Sequence, residues 1–278
     1  MNALTWLAPL SSWLVLLHLG AHAPLQDAAP SSRPGRAFWF AHYIMPLAVV
    51  VLLSQWGVIN SHERLGLIVC VLSGMGTSAV PMALRDGASA HAMTRRLAQG
   101  AMIALVALPL AFLGLTGQDQ GLTAALARFA LTALVLVGAL WVPWRLGQWL
   151  ARQAWFTTRT FAALGRVATL SVIALILLVA WHELPRLPEH PWLLAACTLL
   201  VITLGLGGAL LDANTGLATT GVVRNLTLAT LVLAIDVHTM ESLTALAAFG
   251  ALMYLGVWPT SWLARQVRAY RLRLEKVS

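Results

Sequence analysis

The residue that most invites a chemical interpretation is Arg224, because it interrupts an otherwise apolar run. The run, ATTGVVRNLTLATLVLAI, extends from residue 218 to residue 235 and places Thr220 and Asn225 beside the arginine. A charged side chain in the middle of a membrane span costs about 2.5–3.5 kcal/mol on insertion scales. Such a residue is a functional candidate by default, and a guanidinium can grip a carboxylate or sulfate with two parallel hydrogen bonds.

Two segments combine two glycines with several hydroxyl side chains. They are NTGLATTGVVRN (214–225), which contains the arginine, and SGMGTSAVPMAL (73–84), which also contains a proline. Glycine loosens a helix and proline removes a backbone donor, so both segments predict interrupted helices. In a bilayer such a break persists only where its freed backbone groups find protein or water partners. The helix-breaking residues are Gly74, Gly76, Pro81, Gly216 and Gly221.

The two segments lie about half a chain apart, as in secondary transporters built from two structural repeats. For either segment alone, glycines that serve helix packing are the better explanation. Together with the arginine they favour a substrate site. Its predicted residues are Thr77, Ser78, Thr220, Arg224 and Asn225.

Composition places the chain in the membrane class. Of its 278 residues 59% are hydrophobic and only 10% charged, whereas a soluble domain has about 25% charged residues. Apolar runs of bilayer-spanning length recur throughout, so we predict an all-α membrane protein with nine transmembrane helices. The predicted spans are 3–20, 37–57, 63–84, 94–116, 122–147, 162–182, 191–212, 217–237 and 242–264.

The distribution of basic residues predicts the orientation of these spans. Alternate loops place most of the 18 Lys and Arg residues on one side. The positive-inside rule then puts the N-terminus outside and the C-terminus in the cytoplasm, as expected for a protein of a bacterial inner (plasma) membrane. We attribute the net charge of +8 to these loops and not to nucleic-acid binding.

Short connections predict one polytopic membrane domain over residues 1–278. Within it we expect a first repeat at 1–117, a second repeat at 122–266 and a basic cytoplasmic tail at 267–278. AHA (21–23) is similar to a signal-peptide cleavage site, but no Lys or Arg precedes it. We therefore interpret residues 1–23 as a retained helix, with a cleaved signal as the alternative.

No catalytic or metal-binding pattern accompanies the spans. Cys70 and Cys197 stand singly in apolar runs, and the sequence contains no HExxH motif. We therefore expect neither enzyme activity nor a resident metal or cofactor.

Residues 36–87 resemble the bile acid:sodium symporter family. In that family a span with an mPl element leads into a broken helix that reads roughly PGG-x-x-SN. Here residues 45–47 match the first element, residues 73–75 stand where PGG is usual, and residues 78–79 stand where SN is usual. TTGVVRNLTLA is similar to the second crossing helix of the family, whose pattern is about E-V-G-M-Q-N-S-G-L-A.

The resemblance implies a fold with inverted repeats, of which the first, at 1–117, lacks one helix. It further implies a panel region and a core region that holds two crossed, interrupted helices. It also implies transport of a small organic anion by alternating access. The family's sodium ligands, however, include the asparagine of SN and the acidic and glutamine positions of the second motif. These positions hold Ala79, Thr220 and Arg224 here. Because a hard cation needs oxygen ligands and a guanidinium only donates, the sodium sites look degenerate.

Three roles for Arg224 stay open at this stage. It is a built-in cation satisfied by backbone carbonyls and by Ser78 or Asn225, it receives an anionic substrate, or it pairs with a carboxylate such as Asp212 or Asp236. We predict a carrier whose partners are an organic anion and the lipid bilayer. The alternative is a non-transporting sensor or assembly module, and the sequence does not fix the oligomeric state.

Overall fold

The computed structural model describes residues 3–22, 36–76, 78, 79, 83, 90–116, 122–183, 185, 189–211, 220–234 and 240–275. Over these residues every regular element is helical. We number the helices α1 (Ala3–His22), α2, α3 (Ser61–Leu72), α4 (Ala90–Thr116), α5 (Leu122–Leu150), α6 (Thr158–Glu183), α7 (Pro191–Leu211), α8 (Leu226–Ala234) and α9 (Met240–Glu275). Helix α2 consists of an α-helical turn, Arg36–Trp39, a π-helical segment, Phe40–Ile44, and a second α-helical part, Met45–Gln55.

Four of these helices are long and apolar enough to cross a membrane, which confirms the prediction of an all-α membrane protein. The apolar stretches are Ala133–Leu150, Thr158–Leu175, Pro191–Leu210 and Glu241–Tyr270. Large apolar side chains face outward, among them Leu134 at 70% and Trp181 at 80% exposure, as expected of a surface in contact with lipid. Each predicted span overlaps a described helix, but the number of crossings, the inverted repeats and the orientation stay predictions.

The helices pack in two groups. Helix α1 lies against both α5 and α6. Helix α9 is the centre of the second group, where it contacts α3, α7 and α8, while α2 packs on α3 and α7. The groups meet where α4 contacts α5, where α6 contacts α9, and where α1 contacts α8. The largest fully buried side chains, which include Leu67, Leu204 and Phe249, belong to α2, α3, α4, α7, α8 and α9 and none to α1, α5 or α6 among the described residues, so the core lies in the second group.

The start of α3 is fixed by local chemistry and by α9. Asn60 and Glu63 form a reciprocal capping box, and the Asn60 side chain also donates to Glu241 over 3.2 Å. The Ser242 hydroxyl donates to the carbonyl of His62 over 2.7 Å. These bonds fix the position of α3 along α9, and thereby the position at which α3 ends.

Candidate functional site

The two segments predicted to interrupt helices meet each other. The first break follows the end of α3 at Leu72. The second break, at residues 223–225, separates the helical turn at residues 220–222 from α8. The Gly76 N–H donates to the Val223 carbonyl over 2.8 Å, and the Asn225 N–H donates to the Gly74 carbonyl over 3.1 Å. The breaks thus pair as one antiparallel bridge, in which each supplies partners for backbone groups that the other has freed. We call this pair of breaks the crossing.

Glycine is required at the crossing for two reasons. Gly74 has a φ of +75°, and a Cβ placed there would lie 2.9 Å from the carbonyl oxygen of Gly100 in α4. A Cβ at Gly76 would lie 2.5 Å from the Arg224 carbonyl oxygen. Gly221 packs against the ring of His42 in the helical turn before the second break. The remaining predicted break residues, Pro81 and Gly216, lie outside the described residues.

Arg224 is buried, with 2% of its surface exposed, and its side chain reaches α2. Its Nη2 donates to the carbonyl of His42, and its Cζ lies 5.5 Å from the centre of the Tyr43 ring. Pro46 explains why this carbonyl is available: proline has no N–H to donate to the carbonyl four residues earlier. The π-helical segment at residues 40–44 lies at this point, as π-helical turns often do at functional sites.

The other predicted site residues have separate positions. The Ser78 hydroxyl lies 3.0 Å from the Tyr254 hydroxyl of α9, within hydrogen-bonding distance. Thr220 is buried with 2% exposure. Asn225 caps α8, because its Oδ1 accepts the Leu228 N–H over 3.1 Å. Thr77 lies outside the described residues.

A cavity of about 390 Å³ lies between the two helix groups, against the crossing. Its polar lining comes from the crossing, through Ser73 and Asn225. The wall opposite is apolar and is supplied by α1, α4 and α5, including Leu16, Ala101 and Trp141. The described residues that line it carry no charge, and Arg224 is not among them. Of the predicted substrate residues that the structure describes, only Asn225 lies at this cavity.

Several residues of the site were not predicted. His42 and Tyr43 receive Arg224, Tyr254 pairs with Ser78, and α4 and α5 supply most of the cavity wall. Only the contact of Arg224 with α2 has a sequence signal, which is Pro46. This proline has no N–H to donate to the carbonyl of residue 42. The tertiary partners of Ser78 and the cavity have no local signature.

Comparison with known proteins found no family model and no curated protein that matches this chain.

The Asn225 cap provides a test of the local structure. We expect Asn225→Ala to lower the free energy of unfolding by about 1 kcal/mol, because the Leu228 N–H loses its acceptor. Asn225→Ser should recover part of this loss, since serine is also a good N-cap. Thermal unfolding of the detergent-solubilised protein measures both changes. Asn60→Ala is the positive control, because it removes the side-chain N-cap of α3. Equal stability of Asn225→Ala and the unmodified protein would contradict the capping role.

Proposed function

We propose that the protein is a secondary transporter of a small organic anion and that it works by alternating access without dependence on sodium. The observation that carries the proposal is the cavity between the two helix groups, one side of which is the crossing. A cavity of 390 Å³ is within the range of sites for small molecules. Interrupted helices beside such a cavity are the arrangement by which transporters present backbone groups to a substrate.

The chemistry of the cavity supports an amphipathic anion as substrate. Helix α8 begins at Leu226, directly after Asn225, so the positive end of its dipole lies at the polar end of the cavity. With Oδ1 used by the helix cap, the amide N–H groups of Asn225 are what this side chain can offer a ligand. We propose that the anionic group binds here, while the apolar part of the substrate packs against Trp141 and Leu16.

The seam between the helix groups is where we expect movement. We propose that α1, α5 and α6 act as the panel and the remaining helices as the core of a bile acid:sodium symporter-like fold. The two interrupted helices fall in the proposed inverted repeats, at 1–117 and 122–266. Rocking of the core about the contacts of α4 with α5 and of α6 with α9 would expose the cavity to each side in turn.

Uptake into proteoliposomes tests this function directly. We expect saturable accumulation of at least one compound from a mixture of carboxylates and sulfonates, with equal rates in sodium and choline buffers. Empty liposomes are the control, and an imposed proton gradient forms the third arm. Uptake that requires sodium would contradict the proposed independence from sodium. No uptake of any anion under all three conditions would contradict the carrier.

A further inference from the structure

Arg224 is the part of the crossing that the proposed transport function leaves without a role, because its side chain reaches α2 and does not line the cavity. We infer that Arg224 is a built-in cation that positions the second break against α2 and holds the crossing together without a bound inorganic cation. The inference goes beyond the proposed function and holds whether or not the protein is a carrier.

The acceptors around Arg224 are those of a cation site. Its Nη2 hydrogen bonds to the backbone carbonyl of His42, and the face of the Tyr43 ring lies 5.5 Å from its Cζ. A carbonyl oxygen and an aromatic face both attract a positive charge. The carbonyl is available because residue 46 is a proline, so sequence and geometry agree that α2 is built to receive a donor at this point.

Helix ends add to this attraction. Helix α3 ends at Leu72, and the helical turn at residues 220–222 ends two residues before Arg224. The C-terminal end of a helix carries partial negative charge, which a nearby cation stabilises. The opposite end, the N-terminus of α8, is met by the Asn225 cap. The C-terminal ends of α3 and of this turn therefore both lead into the bridge that contains Arg224.

A carboxylate does not explain the arginine within the part of the chain that the structure describes. No acidic side chain there is in contact with the guanidinium, and its buried Nε has no hydrogen-bond partner among the described residues. Asp212 and Asp236, the acids nearest in sequence, lie outside those residues. They are therefore included in the test.

The test measures thermal unfolding of the purified full chain in detergent with a thiol-reactive dye, since both cysteines are buried and become reactive on unfolding. The unmodified protein should have the same Tm in sodium, potassium and choline chloride. Arg224→Ala should lower Tm by about 5–10 °C, and millimolar guanidinium should restore most of the loss. Arg224→Met should show a similar fall without rescue, because methionine fills the space and carries no charge.

Arg265→Ala is the matched control. The Arg265 Nε also donates to a backbone carbonyl, that of Ser261 at 3.3 Å, but the side chain is exposed, so neither its loss nor added guanidinium should change Tm. If Arg224→Ala does not fold even with guanidinium, Arg224→Lys decides: it should be more stable than Arg224→Met because it keeps the charge.

Four results would overturn the inference. They are a Tm of Arg224→Met equal to that of the unmodified protein, equal losses for the lysine and methionine variants, a Tm of the unmodified protein that rises specifically with sodium, and a fall for Asp212→Asn or Asp236→Asn as large as that for Arg224→Ala. Uptake assays play no part in this test, so failure of the transport proposal would leave it intact.

Discussion

Replacement of Gly74 by alanine is expected to lower the free energy of unfolding by about 2–5 kcal/mol. Two costs combine at this position. The φ of +75° is unfavourable for any residue with a Cβ, and the new methyl group would lie 2.9–3.1 Å from three backbone atoms of Gly100 in α4. The backbone at Gly74 cannot shift easily because it is hydrogen-bonded to Asn225 in the other break. The backbone at Gly100 cannot shift easily because it is helical. Thermal unfolding and the yield of monodisperse protein measure the loss.

Two other glycines separate these costs. Gly57 also has a positive φ, of 70°, but a Cβ there would meet nothing within 4 Å, so Gly57→Ala should show the conformational cost alone. Gly138 lies within α5 with open space around it, and its replacement by alanine should leave stability unchanged or raise it by about 0.5–1 kcal/mol. If Gly74→Ala costs no more than Gly57→Ala, the close approach of the crossing to α4 is wrong.

The sequence was most informative where a single segment determines its own structure. Apolar length predicted the long helices, such as α7 over Pro191–Leu211 against a predicted span of 191–212. Glycine content predicted a break within the span 63–84, and α3 ends at Leu72, close to Gly74 and Gly76. Composition therefore carries both the helices and their interruptions, because hydrophobic burial and backbone freedom are properties of the local chain.

The site itself depended on approaches between distant segments, which local composition does not encode. The carbonyl of His42 is 182 residues from Arg224, and the Tyr254 hydroxyl is 176 residues from Ser78. Of the three roles considered for Arg224, the built-in cation is the one that we infer, with α2 as the partner and not Ser78 or Asn225. Tertiary packing decides which neighbouring element the arginine side chain contacts. Here the π-helical segment of α2 provides the acceptor.

The largest effect on transport is expected from a substitution that fills the cavity without replacing a residue of the crossing. Ala101 of α4 lines the cavity together with Leu105 of the same helix. We expect Ala101→Phe to reduce uptake at least about tenfold, which corresponds to a loss of roughly 1.4 kcal/mol in substrate binding. Stability should change little, because the ring enters empty space instead of displacing packed atoms. Proteoliposome uptake and thermal unfolding of the same preparation measure the two quantities.

Leu110→Phe is the control on the same helix, because Leu110 is 52% exposed and does not line the cavity. It places the same phenyl ring on α4, away from the cavity, and should transport normally. If Ala101→Phe transports as well as Leu110→Phe, the substrate does not bind in this cavity, and the proposed site is wrong even if the protein is a carrier. If Ala101→Phe loses uptake and keeps its Tm, the effect belongs to the ligand site, because an unchanged Tm shows that the fold is intact and the Arg224 contact with α2 is not part of the cavity lining.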